Sequence, residues 1–509
     1  MNNTAAIRMV GITKTFGRTV ANKDVTMEIY RGEILSLLGE NGSGKTTLMN
    51  MLSGIYYPDS GSIYMDGKEV SIRSPRDAFD LGIGMIHQHF KLVDVFTAAE
   101  NIVLGLEEKG KLNRKQISAK VREICQRYGF DVDPNQKVYD MTVSQKQTLE
   151  IVKVLYRGAN VLILDEPTAV LTPQETEKLF KVIRNMRADG KSIIIITHKL
   201  HEVLAVSDRV AILRKGEYIG SVPTKDASEQ SLTEMMVGQK VSLNIDRPLP
   251  VNKQLRIHAQ HLNTFNEEGV QTLHDVSFDV YGGEILGIAG VSGSGQKELL
   301  EAIAGLQALQ NGASIEYYPP NKNTIEQLVG CTPRRIREHG ISLAFVPEDR
   351  LGMGLVGNFG MTDNMMLKNY NRGPSVFVDF KPPRNLAGKI KKDLDVQTPD
   401  LETPVSFLSG GNVQKVLVGR EIASAPTVLM TAYAVRGLDI NTSYTIYSLL
   451  NQQKQKGVAV IYVGEDLDVL LALSDRVLVM CGGHVNGILD GRTASKEEVG
   501  LLMTNLKKG

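Results

Sequence analysis

The feature that most constrains this chain of 509 residues is an internal duplication. Residues Arg31–Gly39 recur as Tyr281–Gly290, and Ala205–Leu213 recur as Ala472–Met480. Two long copies are too few for a solenoid, so the repeat indicates two similar globular domains.

The junction between the copies is marked by the polar, proline-bearing segment Gly238–Asn252. We predict a first domain over residues 1–240, a linker over 241–255 and a second domain over 256–509. The second copy is longer than the first, and its extra residues are expected in two stretches rich in loop formers, Asn311–Pro333 and Asn371–Pro383.

The composition is that of a globular protein, with 42% hydrophobic and 23% charged residues. The 58 basic and 57 acidic side chains nearly cancel, so we expect no sequence-independent binding of nucleic acid. Three dispersed cysteines without a CxxC spacing predict a reducing compartment and neither a disulfide framework nor a zinc site. The N-terminus has no signal-like region and the apolar runs are strand-sized, so we expect a cytosolic chain that can dock onto a membrane protein.

Short apolar runs alternate with helical patterns in each copy. Asn160–Asp165 and Ser192–Thr197 show no polar alternation, which is typical of strands buried on both faces of a parallel sheet. Between them, Pro173–Ala188 carries apolar residues at helical spacing. The pattern predicts an α/β fold with crossover helices.

A phosphate-binding loop is predicted in the first copy. The sequence matches G-x-x-x-x-G-K-[ST], follows the apolar strand Ile34–Leu38, and precedes a helical run with Leu48, Leu52 and Ile55 on one face. Its glycines let backbone N–H groups turn toward a phosphate, Lys45 adds a positive charge, and the Thr46 hydroxyl can bind Mg²⁺. A glycine-rich surface turn is the alternative, and the strand–loop–helix context argues against it. The residues of the motif are Gly39, Glu40, Asn41, Gly42, Ser43, Gly44, Lys45 and Thr46.

Polar residues also follow the other predicted strands of the first copy. Asp165 and Glu166 end the strand from Val161, where the first could hold Mg²⁺ and the second could polarise an attacking water. His198 ends the next strand, and Gln88 ends a third. Gln88 lies between two histidines, but no acidic or cysteine ligand follows nearby, which disfavours a separate metal site.

These motifs, in the order Phe16, Gly39–Thr46, Gln88, Asp165–Glu166 and His198, resemble the ATP-binding-cassette (ABC) ATPases. The second copy carries a segment that matches the family signature, Leu408–Asn412. The resemblance implies two tandem P-loop cassettes, each with a parallel-sheet core, an antiparallel β subdomain and a helical subdomain. The tandem arrangement is similar to the fused ATPase subunits of bacterial simple-sugar and nucleoside importers, and Gly84–Val93 favours the nucleoside branch.

The resemblance also implies roles for individual residues. Glu166, His198 and Gln88 would be catalytic, and Thr46, Gln88 and Asp165 would hold Mg²⁺. Phe16 would stack on adenine, with ATP clamped between the P-loop of one cassette and the signature of another. The implied ATP-binding residues are Phe16, Gly39, Glu40, Asn41, Gly42, Ser43, Gly44, Lys45, Thr46, Thr47, Ser409, Gly410 and Gly411.

The same resemblance implies partners and a location. Two integral-membrane permease subunits would bind this chain, and an extracytoplasmic solute-binding protein would act on it indirectly. The subunit would be peripheral at the cytoplasmic face of the cell membrane. The two cassettes of one chain could pair with each other, and the transported solute, nucleoside or sugar, stays open.

The two copies have lost different motifs. In the second, Gln296 and Lys297 stand where the P-loop lysine and threonine stand, and Ala432 and Tyr433 replace Asp165 and Glu166. Glu465 and Glu348 likewise replace His198 and Gln88. The first copy has instead an eroded signature, Met141–Gln145. Under head-to-tail pairing, these losses predict one working ATPase site and one inactive site per chain.

Three other functions fit the sequence less well. Soluble twin-cassette proteins that act on the ribosome usually keep both sites and have a long basic linker, whereas Gly238–Asn252 is short and mildly charged. Chromosome-structural ATPases need a long coiled coil, and no sustained heptads occur here. A phosphate-binding scaffold without activity is disfavoured by the complete motif set of the first copy.

Overall fold

The computed structural model describes residues 5–17, 19–40, 42–87, 90–106, 113–168, 171–197, 199–238, 245–250, 253–266, 268–291, 293–320, 322–345, 350–367, 378–436 and 438–504. It divides into two compact units, Met1–Ser242 and Leu243–Gly509. Each unit is described separately below.

The first unit alternates strands and helices. In chain order its elements are β1 (Ala5–Phe16), β2 (Thr19–Tyr30), β3 (Ile34–Leu38), α1 (Lys45–Leu52), β4 (Ser60–Met65), β5 (Lys68–Val70), α2 (Pro75–Asp80), β6 (Ile83–Ile86), α3 (Ala98–Val103), α4 (Arg114–Tyr128), α5 (Val143–Tyr156), β7 (Val161–Asp165), α6 (Pro173–Ala188), β8 (Ser192–Ile196), α7 (Leu200–Val206), β9 (Arg209–Arg214), β10 (Glu217–Pro223) and α8 (Glu229–Val237).

The core of the first unit is a six-stranded sheet in the order β10-β9-β3-β8-β7-β6. All neighbours pair in parallel except β10, which pairs antiparallel with β9 at the edge. Strands β3, β7 and β8 are buried along their whole length, as their unbroken apolar runs predict. One face of the sheet packs against α1 and the β-strands near the N-terminus, and the other packs against α5 and α6.

Two smaller layers complete this unit. Strands β2-β1-β4-β5 form an antiparallel sheet, with Met9 of β1 opposite both Met27 and Ile63. Helices α3, α4 and α5 enclose a separate hydrophobic cluster. The α/β class, with a parallel core, an antiparallel β subdomain and a helical subdomain, is therefore confirmed.

The second unit repeats the same succession. Its elements are β11 (Gln254–Phe265), β12 (Gln271–Gly282), β13 (Ile285–Ala289), α9 (Gln296–Ile303), β14 (Ser314–Tyr317), β15 (Glu326–Gln327), α10 (Pro333–Glu338), β16 (Ile341–Phe345), α11 (Arg350–Met353), α12 (Met361–Met366), α13 (Lys381–Asp393), α14 (Gly410–Ala423), β17 (Val428–Ala432), α15 (Ile440–Gln455), β18 (Ala459–Val463), α16 (Leu467–Leu473), β19 (Arg476–Cys481), β20 (His484–Asp490) and α17 (Lys496–Thr504).

Both sheets of the second unit match those of the first. The core sheet runs β16-β17-β18-β13-β19-β20, and the antiparallel sheet runs β12-β11-β14-β15. Residues 318–325 separate β14 from β15, whereas only residues 66–67 separate β4 from β5, so part of the extra length lies in the stretch Asn311–Pro333. The other expected insertion, Asn371–Pro383, lies partly outside the described residues, and its end enters α13.

Two local predictions have opposite outcomes. The helix predicted over Pro173–Ala188 is confirmed as α6, and a capping box between Thr172 and Glu175 starts it. The prediction that Ile55 continues the apolar face of α1 is wrong. That helix ends at Leu52, Gly54 turns the chain at a φ of 75°, and Ile55 is exposed beyond it.

Residues 245–250 lie against the second unit, and we call this segment the strap. Ile245 packs on a hydrophobic cluster of that unit, and the Arg247 guanidinium donates to the carbonyls of Leu471, Ser474 and Gly491. The extent of the linker over 241–255 stays a prediction, although β11 already begins at Gln254.

Across the ranges that the structure describes, no helix combines the length and the apolar character needed to cross a bilayer.

Candidate active site

The loop between β3 and α1 brings the backbone of the first unit into a tight turn. Gly44 caps α1 with a φ of 93°, in the left-handed region that favours glycine. A Cβ atom at Gly44 would overlap the carbonyl oxygen of Ala21 and the side-chain amide of Asn22. The glycine is therefore required both by the backbone angle and by the close approach of β2.

Lys45 is buried at the first position of α1. Its Nζ donates to the carbonyl oxygens of Gly39 at 2.7 Å and Glu40 at 3.0 Å. Burial lowers the pKa of Lys45, and the carboxylates of Glu166, Asp165 and Glu40 partly oppose this effect. The ammonium group is thus held over the loop by backbone carbonyls.

Two polar atoms beside this loop are buried without a hydrogen-bond partner among the described residues. They are the Ser43 hydroxyl and the side-chain oxygen of Asn22, whose amide donates to the Gly44 carbonyl at 3.2 Å. Buried polar groups are normally paired, so an unpaired hydroxyl beside a lysine and a helix N-terminus fits a phosphate ligand. The sequence analysis did not identify Asn22, because this residue lies in β2, outside the P-loop motif, and its burial is seen only in the structure.

Asp165 ends β7 opposite the start of α1. The Thr46 hydroxyl lies 3.5 Å from its Oδ2. Burial raises the pKa of Asp165 to about 6, with a further contribution from the Glu166 carboxylate, while Lys45 and the Thr46 hydroxyl lower it. A hydroxyl beside a strand-end carboxylate fits the oxygen ligands that Mg²⁺ takes together with phosphates and water.

No group of three or more His, Cys, Asp or Glu residues able to hold a metal occurs in the described ranges. Thr46 and Asp165 offer two side-chain oxygens to a divalent cation, and nucleotide and water oxygens would supply the other ligands.

Glu166 follows Asp165 in a strained conformation. Its φ is 47°, which is uncommon for a residue with a side chain, and its backbone N–H donates to the Ile196 carbonyl at 2.8 Å. This bond ties the end of β7 to the end of β8. The Glu166 carboxylate lies close enough to Asp165 and Lys45 to raise the pKa of both groups.

The remaining predicted residues of the first unit are distributed around this loop or fall outside the description. Phe16 ends β1 with a half-exposed ring, whose centroid lies 5.1 Å from that of the Tyr56 ring. Thr47 is the third residue of α1. Gly39, Glu40, Gly42, Ser43 and Gly44 form the described part of the loop. Asn41, Gln88 and His198 lie outside the described residues.

The second unit has the same loop with different chemistry. Gln296 is buried where Lys45 stands, and its amide donates to the Val291 carbonyl at 3.1 Å. Lys297 points to Glu301 at 3.7 Å, and Ala432 ends β17 where Asp165 ends β7. No carboxylate or hydroxyl ligand for Mg²⁺ stands at these three positions.

Tyr433 reproduces the backbone of Glu166. Its φ is 53°, and its N–H donates to the Val463 carbonyl at 2.9 Å. Nearby, the Arg436 guanidinium pairs with Glu465 at 3.0 Å and lies 5.9 Å from the Tyr433 ring. Burial raises the pKa of Tyr433, with a smaller contribution from Glu465, so the phenol stays neutral. These residues do not fit a magnesium–nucleotide site.

The two signature segments both begin helices. Ser409 caps α14, where the Asn412 amide donates to its hydroxyl at 2.9 Å. Gly410, which is exposed, and Gly411, which is partly exposed, begin the first turn. In the first unit Thr142 and Gln145 form a capping box at the start of α5, and Val143 exposes its side chain. Only the helix that begins with glycines leaves its N–H groups open to close approach by a phosphate.

The strand–loop–helix cradle occurs twice, each time on a parallel sheet, and the first copy adds the strand-end carboxylates. These features define a tandem P-loop nucleotide-binding protein. The model of the ABC transporter family matches residues 22–169 and 273–431. The chain therefore belongs to the ABC transporter family, whose cassettes bind and hydrolyse ATP.

Curated relatives match the chain over nearly its whole length. It is 42% identical to the nucleoside import ATP-binding protein NupA of Lactococcus lactis subsp. cremoris, over 99% of both chains. It is 41% identical to the guanosine import ATP-binding protein NupO of Bacillus subtilis, over 98% of this chain and 97% of the relative. It is 38% identical to the ribose import ATP-binding protein RbsA 1 of Streptomyces avermitilis, over 97% of this chain and 92% of the relative.

Proposed function

We propose that the chain is the ATP-hydrolysing subunit of an importer, and that it drives uptake of a nucleoside or simple sugar through a separate permease. The full-length match to relatives named for nucleoside, guanosine and ribose import supports this role. A nucleoside is favoured over a sugar, because the two nucleoside-related proteins have the higher identities among these three relatives.

The observation that carries the proposal is the grouping of Lys45, Thr46, Asp165 and Glu166 at one edge of the first parallel sheet. In the proposed reaction the P-loop N–H groups and Lys45 hold the β- and γ-phosphates of ATP. Thr46 and Asp165 would hold Mg²⁺, which would supply positive charge against that of the phosphates. Glu166 orients the attacking water and accepts its proton.

Further residues complete the proposed site. The exposed Phe16 ring stacks on adenine, while Gln88 and His198 contact the γ-phosphate region. The signature residues Ser409, Gly410 and Gly411 of a second cassette close over the phosphates, where unhindered N–H groups stabilise the charge that develops in the transition state. These assignments follow from the family resemblance, and the exposure of the Phe16 ring agrees with its role.

One such site forms per chain in this proposal. The first unit supplies the complete phosphate and magnesium groups, and the second unit supplies the glycine signature. The opposite combination joins Gln296, Ala432 and Tyr433 to the eroded signature, and it lacks the groups for hydrolysis. Cassette pairing within one chain or between chains satisfies the same chemistry.

The proposed partners are two membrane-embedded permease subunits, with an extracytoplasmic binding protein that delivers the solute. The chain would lie at the cytoplasmic face of the cell membrane as a peripheral subunit. ATP binding closes the cassettes, and hydrolysis reopens them. No observation favours the alternative of a ribosome-acting twin cassette, and all three relatives above are named for import.

Steady-state ATPase measurements on the chain assembled with its permease test the proposal. Lys45→Ala should reduce kcat at least about 100-fold, because a charge that stabilises the transferred phosphoryl group is lost. The matched variant Gln296→Ala should stay within about threefold of the parent, since that position lacks the chemistry. Equal losses in the two variants would refute the single-site assignment.

The cargo is tested separately. Solute-binding protein loaded with a nucleoside should stimulate ATP turnover by the reconstituted transporter, whereas the same protein without solute should not. Stimulation by a ribose-loaded binding protein alone would assign the sugar instead.

A further inference from the structure

A buried polar network lies behind the candidate active site of the first unit. The Thr168 hydroxyl donates to Glu202 Oε2 at 2.6 Å. Lys199 Nζ pairs with Glu202 Oε1 at 3.2 Å and donates to the Thr168 carbonyl, also at 3.2 Å. Thr168 and Glu202 are 1% and 4% exposed, so these contacts are shielded from water.

The network connects the ends of two neighbouring strands. Thr168 stands two residues after Glu166, beyond the end of β7, and Lys199 follows β8 as the N-terminal cap position of α7. Glu202 belongs to the first turn of α7. The strained Glu166 is therefore held from both sides, by its own N–H bond to Ile196 and by the network that begins two residues later.

The second unit has an apolar counterpart at the same places. Val435 stands two residues after Tyr433, and Val469 is the third residue of α16, as Glu202 is of α7. Both valines pack against one hydrophobic cluster of the second unit. Asp466 takes the place of Lys199 and caps α16 by accepting from the N–H groups of Asp468 and Val469.

The polar network is not required for the turn at Glu166 to fold. Tyr433 adopts the same left-handed turn as Glu166 and makes the equivalent backbone bond, yet its unit lacks the polar network. The turn therefore forms without that network, with Val435 and Val469 in the hydrophobic cluster and the Gln414 amide donating to the Ala434 carbonyl. Burying the Glu202 carboxylate and the Thr168 hydroxyl is costly unless both are paired, and the same turn forms in the second unit without them. We therefore look for a function of the network besides folding.

The polar network can fix the position of the chain more precisely than apolar contacts can. Hydrogen bonds fix both distance and angle, whereas valine contacts tolerate small shifts of the chain. A displacement of about 1 Å in a reacting group can lower a rate by about 100-fold. The polar network occurs in the unit that keeps Asp165 and Glu166, and the apolar pair occurs in the unit that has lost them.

We propose that Thr168, Lys199 and Glu202 are positioning residues that hold Glu166 in place for ATP hydrolysis. This inference rests on the proposed function of the first unit. The three side chains act through the backbone between Glu166 and Thr168, and none of them transfers a proton or binds ATP.

The test transplants the residues of the second unit into the first. The variant Thr168→Val/Lys199→Asp/Glu202→Val carries a combination that already supports the same turn elsewhere in the chain. We expect its Tm to stay within a few degrees of the parent and its Kd for a non-hydrolysable ATP analogue to stay within about threefold. Its kcat should fall at least about tenfold, because Glu166 is no longer held precisely enough for reaction.

Two single variants sharpen the result. Thr168→Ser retains the hydroxyl and should recover most of the parental kcat, whereas Thr168→Val should not. If the triple variant does not fold, this serine–valine pair decides the question by itself. The double variant Val435→Ala/Val469→Ala in the second unit controls for loosened packing and should leave kcat within about twofold.

The outcomes that would contradict the positioning role differ from those that would contradict the proposed function. A transplanted variant with parental kcat, or a loss explained by weaker analogue binding, would overturn the positioning role. Glu166→Gln is measured in parallel to test the underlying function. If Glu166→Gln hydrolyses ATP at the parental rate, the proposed active site is wrong, whereas an inactive Glu166→Gln beside a fully active transplant would refute only the network.

Discussion

At the scale of single residues, the two units show how a few side chains change the chemistry of one backbone. Glu166 and Tyr433 share a left-handed turn and the same backbone hydrogen bond, and Lys45 and Gln296 begin equivalent helices. The difference between the units is therefore one of charge and ligand atoms rather than of loop geometry. The buried charges of the first unit should also have a measurable cost in stability.

Asp165 allows that cost to be measured. Its folded pKa of about 6 lies above the ordinary value near 3.9, so the folded state binds protons more tightly than the unfolded state. This contribution to stability is fully present below about pH 4 and is lost as the pH rises through about 6. At neutral pH the buried carboxylate therefore destabilises the protein when no nucleotide or Mg²⁺ is bound.

We expect Asp165→Asn to stabilise the nucleotide-free protein at pH 7.5 by about 1–3 kcal/mol, and to have little effect at pH 4. The asparagine keeps an oxygen near Thr46 but removes the charge. Urea unfolding of the first unit at the two pH values measures the difference. Addition of Mg²⁺ and ATP should reverse the order at pH 7.5, and an equal stability gap at both pH values would contradict the prediction.

At the scale of elements, the starts of α5 and α14 offer a matched comparison. Both are fourteen-residue helices with capped N-termini, but α14 begins with Gly410 and α5 with the exposed Val143. The identity of this first helical residue decides how closely an anion can approach the free N–H groups.

Gly410→Asp should abolish ATP turnover, whereas Val143→Asp should leave it within about threefold. The negative charge of an aspartate in the first turn interacts favourably with the helix dipole, so neither variant should unfold its helix. At Gly410, however, the new carboxylate would repel the phosphates of ATP bound to a facing cassette. ATPase rates together with far-UV circular dichroism measure both effects, and inactivation by Val143→Asp would place the working signature in the first unit.

At the scale of the whole molecule, the strap gives the second unit a covering segment built from the chain between the repeats. Lys454 is almost fully buried, and its Nζ contacts Asp475 at 2.8 Å and the Pro248 carbonyl at 2.5 Å. Arg492 adds a bond to the Pro248 carbonyl at 3.0 Å and one to Asp475 at 3.2 Å. The corresponding pair of the first unit, Arg187 and Asp208, is partly exposed, with an N–O distance of 2.6 Å.

Lys454→Met should destabilise the second unit by about 3 kcal/mol, because Asp475 stays buried with one cation fewer. Arg187→Met should cost less than about 1 kcal/mol, since water screens the pair that it removes. Thermal unfolding of both full-length variants compares the two, and amide hydrogen exchange should show faster exchange of residues 245–250 only in Lys454→Met. Equal destabilisation would mean that the strap adds no shielding.

Local patterns were enough to predict most of the architecture. The apolar runs of β7 and β8, the helical spacing of α6 and the duplication itself predicted two α/β units with parallel cores. The sequence also located the loop before Lys45 and indicated that the second repeat has no counterparts of Asp165 and Glu166. Such features are readable along the chain because strand burial, helix periodicity and glycine requirements depend on neighbouring residues.

The folded chain added contacts that no local pattern carries. Asn22 reaches the P-loop from another strand, Thr168 meets Glu202 across 34 positions, and Lys454 reaches back to the strap. Even the end of α1 before Ile55 depended on how a single glycine turns. These contacts join residues far apart in the chain, and whether a buried polar group finds a partner is settled only when the sheets and helices have packed together.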